Sequence, residues 1–141
     1  KNLLRIHFEN FAKQKGCIFQ WIRLFYMHGK GQATSAILMQ LQQAIDTNQQ
    51  VFNMSGGMQT RDYLPITDVA NNIIKVAMQK KVTGIINCSS NMPISIKDLV
   101  LDYLQNHPSS LELNLGYFPY PDFEPMHFWG DNTKLLSIES S

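Results

Sequence analysis

The sequence of 141 residues has little net charge, few cysteines and no long apolar run. A formal charge of +1 without a basic stripe gives no reason to expect nucleic-acid binding. Two cysteines, Cys17 and Cys88, cannot form a disulfide framework or a four-cysteine zinc site. No apolar run reaches the ~18 residues of a membrane-spanning helix, and the N-terminus does not resemble a signal peptide. These absences predict a soluble, cytoplasmic protein without a nucleic-acid or membrane partner.

Two kinds of binding motif are also missing. The four histidines share no ligand spacing, so no metal site is predicted; they are His7, His28, His107 and His127. Gly29 and Gly31 follow a predicted strand, but no third glycine completes the G-x-G-x-x-G loop that holds the pyrophosphate of a dinucleotide. The chain therefore lacks a complete dinucleotide-binding unit.

Apolar spacing predicts helices that alternate with extended segments along the chain. The predicted helices cover 1–15 and 33–46 and begin again at Thr67 and at Ser95. The predicted extended segments cover 17–27, 50–54, 61–65 and 84–88. For the helix with Thr67 as its N-cap, the expected inner face comprises Val69, Ala70, Ile73, Ile74 and Ala77. This alternation is typical of α/β proteins.

Three local patterns refine this prediction. The segment 17–27 is mostly apolar with little alternation, which predicts a strand buried on both faces, as in parallel sheets. Ser95 followed by Asp98 resembles a helix-capping pair. The segment 117–125 combines three prolines with several aromatic residues, which predicts an ordered loop packed on a surface.

The segment 56–62 places two glycines close to Arg61 and Asp62. Flexible backbone and a fork-shaped cation suit a phosphate or a pyrophosphate. A surface turn followed by an Arg–Asp pair is the alternative interpretation. The residue pattern alone leaves both interpretations open.

Four segments, taken together and in order, resemble the motifs of one family. Residues 23–32 resemble an Arg-aromatic-Asn-x-Tyr-Gly-Pro-Gly motif, and residues 56–70 resemble Gly-x-x-x-x-Arg-Asp-aromatic-x-x-Val-x-Asp-hydrophobic-Ala. Residues 84–96 resemble an apolar strand with Asn before a Ser-rich turn, and residues 129–135 an aromatic-x-Asp-x-x-Lys-hydrophobic motif. By these motifs the chain resembles the extended short-chain dehydrogenase/reductases that act on nucleotide sugars, the NAD-dependent epimerase/dehydratases.

The resemblance implies an α/β fold, namely the C-terminal part of a Rossmann-type protein with its small substrate-binding α/β domain. Residues 1–32 are expected to be the last helix and strand of an incomplete Rossmann domain, and residues 33–141 the nucleotide-sugar-binding domain. The chain is then expected to be a piece of a longer protein whose N-terminal half binds most of the cofactor, NAD or NADP.

The resemblance also implies a homodimer, because members of the family commonly pair through a helix bundle. The face formed by Leu4, Phe8 and Phe11 resembles such a helix. A helix facing its own sheet would show the same spacing, so the interpretation stays open.

The family's catalytic Tyr-x-x-x-Lys motif implies a role for the first residue. Lys1 lies 22 residues before Arg23, the spacing that the family shows between its catalytic lysine and the strand arginine. The resemblance then implies that the Lys1 ammonium binds the nicotinamide ribose and lowers the pKa of the catalytic tyrosine, which precedes this chain. Phe25 is expected beside the cofactor. A solvent-facing helix lysine is the alternative interpretation of Lys1.

The remaining expected site residues concern the substrate. The resemblance implies that Arg61 contacts the pyrophosphate of a nucleotide sugar and that Phe52 and Asn53 lie along the base. Tyr26 stands where the family often has a substrate-contacting Asn, so it is the expected substrate contact there. Pro121 stands where a second phosphate-binding basic residue is usual, and the segment 121–125 is the candidate for that wall of the pocket.

The expected function is the substrate-binding portion of an NAD(P)-dependent nucleotide-sugar epimerase/dehydratase, with hydride transfer at the sugar. The alternatives are a 6-deoxy-nucleotide-sugar reductase and a non-catalytic nucleotide-sugar-binding module. The chain alone is expected to be inactive, because the glycine-rich cofactor loop and the catalytic tyrosine are not in it.

Overall fold

The computed structural model describes residues 1–139, in which helices and short strands alternate. In chain order the elements are α1 (Asn2–Lys15), β1 (Gln20–Leu24), β2 (Tyr26–His28), α2 (Ile37–Asp46), β3 (Val51–Asn53), β4 (Thr60–Arg61), β5 (Tyr63–Pro65), α3 (Ile66–Met78), β6 (Gly84–Cys88), β7 (Ile94–Ser95), α4 (Ile96–Asn106), β8 (Glu112–Asn114), β9 (His127–Phe128) and α5 (Thr133–Glu139). The predicted α/β class is confirmed. Ser140 and Ser141, the last residues of the predicted second domain, lie outside the described residues.

Within residues 1–139 the strands form four small sheets, and most of the strand pairs are parallel. The parallel pairs are β1 with β6, β2 with β5, and β3 with β8. In the fourth sheet β4 lies between β7, which is antiparallel to it, and β9, which is parallel. Parallel neighbours need long crossover connections, and α2 and α3 lie within the connection from β1 to β6.

The prediction of one strand over 17–27 is wrong, because the chain changes its strand partner in the middle of this segment. β1 pairs with β6, whereas β2 pairs with β5 in another sheet. Phe25 lies between them, and its ring contacts that of Phe128 with centroids 5.4 Å apart. Burial on both faces is also wrong, since Leu24 is 46% exposed and Ile22 only half-buried.

Two apolar clusters hold the described part of the chain together. The first joins α2, α4, β3 and the residue before β8, with the buried residues Leu41, Ala44, Phe52, Met54, Val100 and Leu111. The second joins α3, β6 and α5, with the buried residues Val76, Ile86 and Leu135, against which Ile22 of β1 packs. The chain passes between the clusters more than once, so neither corresponds to an unbroken stretch of sequence. The domain boundary near residue 32 stays a prediction.

The start and inner face of α3 differ from the prediction. The helix begins at Ile66 with Pro65 as its N-cap, so Thr67 lies inside the first turn. Proline has a restricted φ, here −57°, which suits a helix start without a side-chain cap. Val69 and Val76, two turns apart, are the buried residues. The other residues of the predicted face are exposed, namely Ala70, Ile73, Ile74 and Ala77.

The capping prediction for α4 is confirmed. The Ser95 hydroxyl accepts a hydrogen bond from the Asp98 backbone N–H at 3.0 Å, which satisfies one of the free donors of the first turn. α2 begins at Ile37, four residues after the predicted start at Ala33. The segment after residue 110 contains the strands β8 and β9 in addition to the predicted loop.

The predicted apolar face of α1 is half-exposed. Leu4, Phe8 and Phe11 are 53%, 48% and 50% exposed, and Ala12 is the buried residue of this helix. This face therefore does not pack against a sheet within residues 1–139. The homodimer stays a prediction.

Candidate functional site

Arg61 lines a cleft of ≈ 450 Å³. It ends β4, whose backbone is hydrogen-bonded to a strand on each side, so the position of its Cα is fixed from both edges. The residue is only 3% exposed, yet its side chain reaches the cleft. The polar residues that share the cleft with it are Tyr26, Gln32, Ser35, Ser55, Gln59, Tyr63 and Glu124.

The guanidinium of Arg61 is held by four hydrogen bonds. Nε donates to the Tyr26 hydroxyl at 3.1 Å. Nη1 donates to two backbone carbonyls, those of Thr60 at 2.9 Å and Met126 at 3.3 Å. Nη2 donates to Glu124 Oε2 at 3.2 Å, which is also an ion pair. A charged group this deeply buried needs such partners, and here they fix its orientation.

Asp62 does not pair with Arg61. Its carboxylate is fully buried and accepts hydrogen bonds from the Ser90 backbone N–H at 2.8 Å, the Ser90 hydroxyl at 2.9 Å and the Asn91 N–H at 2.7 Å. The two neighbours point to different parts of the molecule and both are buried. The interpretation of 56–62 as a surface turn with an Arg–Asp pair is therefore wrong.

The two glycines before Arg61 allow other segments to approach closely. A Cβ at Gly56 would collide with the hydroxyl of Tyr120, which accepts a hydrogen bond from Met58 N–H at 3.2 Å. Gly57 has φ +71°, and a Cβ there would lie 2.9 Å from the Lys97 backbone nitrogen. These glycines thus let the aromatic segment and the start of α4 pack beside Arg61.

Tyr63 forms part of the cleft wall beside Tyr26, with ring centroids 5.4 Å apart. Burial raises the pKa of its phenol to about 12, and the nearby Tyr26 adds to this effect.

A second cleft, of ≈ 600 Å³, contains Lys1 and Phe25. Lys1 is exposed at the N-terminus of α1. The cationic side chains of Arg5 and Arg23 and the ring of Phe128 also line this cleft. The structure therefore brings together the two residues predicted to contact the cofactor. Among residues 1–139, no three His, Cys, Asp or Glu side chains come together as metal ligands.

Phe52 and Asn53, predicted to lie along the base, are apart from the Arg61 cleft. Phe52 is 7% exposed and packs in the first apolar cluster. Asn53 is exposed, and its side-chain oxygen accepts a hydrogen bond from the Asn114 amide at 2.8 Å. Neither lines the cleft, and their contact with a base stays a prediction.

Glu124 was not predicted as a site residue. The sequence indicated only that the proline-rich segment replaces a basic residue, and it gave no indication which side chain would meet Arg61. The Glu124 backbone N–H donates to the Pro121 carbonyl at 3.2 Å, and this turn directs the carboxylate toward Arg61. The available indication was an acidic residue in the segment 121–125, the candidate for one wall of the substrate pocket.

The closing motif has a structural role within the described residues. Asn132 donates to the backbone carbonyls of Ser89 and Ser90 at 3.1 and 3.0 Å. Asp131 lies two residues before α5, and its hydrogen bonds from the hydroxyl and backbone N–H of Thr133 lower the pKa of its carboxyl group. These contacts hold the start of α5 against the end of β6.

Comparison with known proteins identifies the family. Residues 1–89 match the NAD dependent epimerase/dehydratase family, and the chain belongs to it. The resemblance drawn from the four motifs is thereby confirmed, and the family's description agrees with the expected cofactor, NAD or NADP. Separately, none of the helices in residues 1–139 combines the length and apolar character that crossing a bilayer demands.

Among curated proteins, the chain is 27% identical over 131 residues to the dTDP-6-deoxy-L-talose 4-dehydrogenase (NAD(+)) of Aggregatibacter actinomycetemcomitans. The alignment covers 92% of this chain and 48% of that relative. The chain thus spans about half the length of the curated relative that it matches.

Solved structures share the fold. The UDP-N-acetylglucosamine 4-epimerase of Methanobrevibacter ruminantium M1, in complex with UDP-N-acetylmuramic acid, superposes with a TM-score of 0.83 at 19% identity, over 95% of this chain and 44% of that one. The UDP-glucuronic acid 4-epimerase of Bacillus cereus, in complex with UDP-glucuronic acid and NAD, gives a TM-score of 0.77 at 22% identity, over 92% and 41%. At these identities the likeness concerns the fold alone.

Proposed function

We propose that this chain is the substrate-binding portion of a cytoplasmic, NAD(P)-dependent nucleotide-sugar epimerase/dehydratase. In this proposal residues 33–141 bind the nucleotide sugar, and residues 1–32 contribute a helix and a strand to a Rossmann-type cofactor domain completed by a longer protein. The observation that carries the proposal is the buried guanidinium of Arg61 at the wall of a cleft large enough for part of such a ligand.

The chemistry of Arg61 suits a pyrophosphate. A guanidinium remains charged at all accessible pH values and presents its N–H donors in a fixed plane, which matches phosphate oxygens. Burial in a low-dielectric wall strengthens its interaction with an anion relative to the same contact in water. Two backbone carbonyls occupy Nη1, so a ligand can reach the guanidinium at Nη2, where Glu124 accepts from one of the two N–H donors.

Tyr26 is the second proposed substrate contact. Its oxygen accepts from Arg61 Nε, so its own O–H proton remains to be donated. The residue is 39% exposed and lines the cleft, which makes a ligand oxygen a suitable acceptor. Phe52 and Asn53 of β3 are proposed to border the base outside this cleft.

The second cleft fits the nicotinamide end of the cofactor. The Lys1 ammonium is a donor for ribose hydroxyls, and the ring of Phe25 is an apolar surface for a flat heterocycle. When bound, the cofactor supplies or accepts the hydride. Lys1 is proposed to lower the pKa of a catalytic tyrosine through its positive charge. Because this sequence has no glycine-rich loop, the cofactor's pyrophosphate is proposed to be held by residues of the longer protein.

A second candidate function is a dehydrogenase or reductase of a 6-deoxy nucleotide sugar. The curated relative with this type of activity in its name supports it. A redox-neutral epimerase or dehydratase regenerates its bound NAD in each turnover, whereas a dehydrogenase releases NADH. Incubating the protein from its complete gene with NAD and dTDP-6-deoxy-L-talose distinguishes the two, since steady accumulation of NADH supports the dehydrogenase and excludes the redox-neutral reactions.

The role of Arg61 is tested by calorimetric titration of UDP and dTDP into the protein from its complete gene. An Arg61→Lys variant keeps the positive charge but loses the planar pair of N–H donors. It should bind the preferred nucleotide on the order of 10–100-fold more weakly, because a charge-assisted contact contributes about 1.5–3 kcal/mol. Lys80→Ala removes one exposed cation outside the cleft and serves as the matched control. Equal affinity of wild type and Arg61→Lys would refute the pyrophosphate role.

The non-catalytic alternative makes a different prediction. A binding module lacking catalytic groups should bind the nucleotide with the same Arg61 dependence but show no turnover with any nucleotide sugar and NAD(P). Hydride exchange into labelled substrate by the protein from its complete gene would exclude this alternative.

A further inference from the structure

The donors of Arg61 are divided between permanent and exchangeable partners. A guanidinium has five N–H donors. The Tyr26 hydroxyl and two backbone carbonyls take those of Nε and Nη1, and a ligand cannot replace the carbonyls without unfolding the strand. Nη2 donates to Glu124, which is the acidic partner of Arg61 within residues 1–139. An incoming anion must therefore approach the nitrogen that a carboxylate already contacts.

Glu124 is much less firmly held than Arg61. The Glu124 side chain is 44% exposed, against 4% for that of Arg61. The residue before Glu124, Phe123, is 87% exposed and therefore does not anchor Glu124 in the core. The carboxylate can rotate into solvent and regain its hydration there, whereas the arginine cannot follow. The ion pair is thus asymmetric, with one fixed and one movable member.

We propose that Glu124 occupies the anion-binding position of Arg61 in the free protein, and that a diphosphate binds by displacing this carboxylate. This inference rests on the proposed pyrophosphate role of Arg61. Nη2 has two N–H donors and Glu124 accepts from one of them, but a diphosphate oxygen on the other would lie beside the carboxylate, and the two negative groups would repel each other strongly at that distance. When no ligand is present, Glu124 neutralises the buried cation. A ligand with little negative charge does not compete successfully with this carboxylate for Arg61. It is a specificity-determining residue that acts by competition.

The test compares UDP and uridine binding to wild type, Glu124→Gln and Asp122→Asn by calorimetry, with the protein from its complete gene. Glutamine keeps a neutral acceptor for Nη2 but removes the competing charge. Charged hydrogen bonds are about twice as strong as neutral ones, so Glu124→Gln should bind UDP on the order of tenfold more tightly. Uridine, which has no diphosphate, should bind wild type and Glu124→Gln equally. Asp122→Asn removes the same charge from the same exposed segment and should leave both affinities unchanged.

Unchanged or weaker UDP binding by Glu124→Gln overturns the inference, as does an equal gain in Asp122→Asn, which would indicate a general effect of net charge. Failure of wild type and Arg61→Lys to differ in UDP affinity overturns the proposed function instead, so the two failures are distinct. A crystal structure of the wild-type protein with UDP provides a test that does not depend on a variant folding. The Arg61 Nη2–Glu124 Oε2 distance should increase well beyond its present 3.2 Å, and a retained ion pair with UDP bound overturns the inference.

Discussion

Replacing Asp62 with asparagine tests how the segment that carries Arg61 is held in place. The Asp62 carboxylate is fully buried and accepts three hydrogen bonds from Ser90 and Asn91, which follow β6. It therefore joins the short connection between β4 and β5 to a loop almost thirty residues later in the chain. Asparagine has nearly the same shape, so the substitution changes hydrogen bonding and charge with little change in packing.

The magnitude follows from the number of acceptors. An asparagine can keep its oxygen toward the two Ser90 donors, but its NH₂ group then faces the Asn91 N–H. Both of these groups are donors, so neither finds an acceptor in the other. Hydrogen bonds to charged groups contribute about 1.5–3 kcal/mol each, and an unpaired buried donor costs about 1–3 kcal/mol. From the loss of one such bond and at least one unpaired donor we expect Asp62→Asn to lower the free energy of unfolding by about 2.5–6 kcal/mol.

The assay is equilibrium urea unfolding followed by the fluorescence of the two tryptophans. Asp102→Asn, an exposed carboxyl group on α4, is the control and should change the free energy of unfolding by less than about 0.5 kcal/mol. If Asp62→Asn is as stable as this control, the three hydrogen bonds do not support the fold and our account of the segment is refuted.

Two further predictions concern packing and pH. Leu41→Ala should lower the free energy of unfolding in urea by about 2–5 kcal/mol, because Leu41 is 0% exposed. Leu3→Ala, at a position that is 83% exposed, should change it by less than about 0.5 kcal/mol. Similar losses in the two variants would contradict the assigned core. Burial raises the pKa of Tyr63 from 10.0 to about 12, so the folded state holds this proton more tightly than the unfolded chain. The contribution of Tyr63 to the free energy of unfolding is therefore fully present below pH 10 and is lost as the pH rises to about 12. Unfolding measured across this range should show a weaker pH dependence for Tyr63→Phe than for wild type, and identical slopes would disprove the assignment.

Helix and strand content could largely be predicted from the sequence because local signals there agree with tertiary packing. Ser95 and Asp98 specify the start of α4 by a contact three residues apart, and this contact forms as predicted. By contrast, the break between β1 and β2 at Phe25 depends on which distant strands pair with each half. Nothing within the apolar segment itself encodes that change of partner.

The candidate site was predictable only in part for the same reason. Arg61 belongs to a recognisable motif, and its planar cation indicates an anion ligand from the side chain alone. Its partner Glu124 lies 63 residues away in a segment without regular periodicity. The meeting of these two side chains depends on β4 pairing with β9, and pairs of such short strands leave no detectable pattern in the sequence.

The hydrogen bonds of Arg61 connect Tyr26 at the start of β2 with the segment 124–126, so this side chain holds together parts of the protein that are far apart in sequence. Its loss would loosen both attachments at once. In a cell, proteins that lose one or two kcal/mol of stability are degraded more quickly. Natural variants at this position should therefore reduce the amount of protein as well as its ligand affinity, and genetic screens that measure only activity would attribute the whole effect to binding.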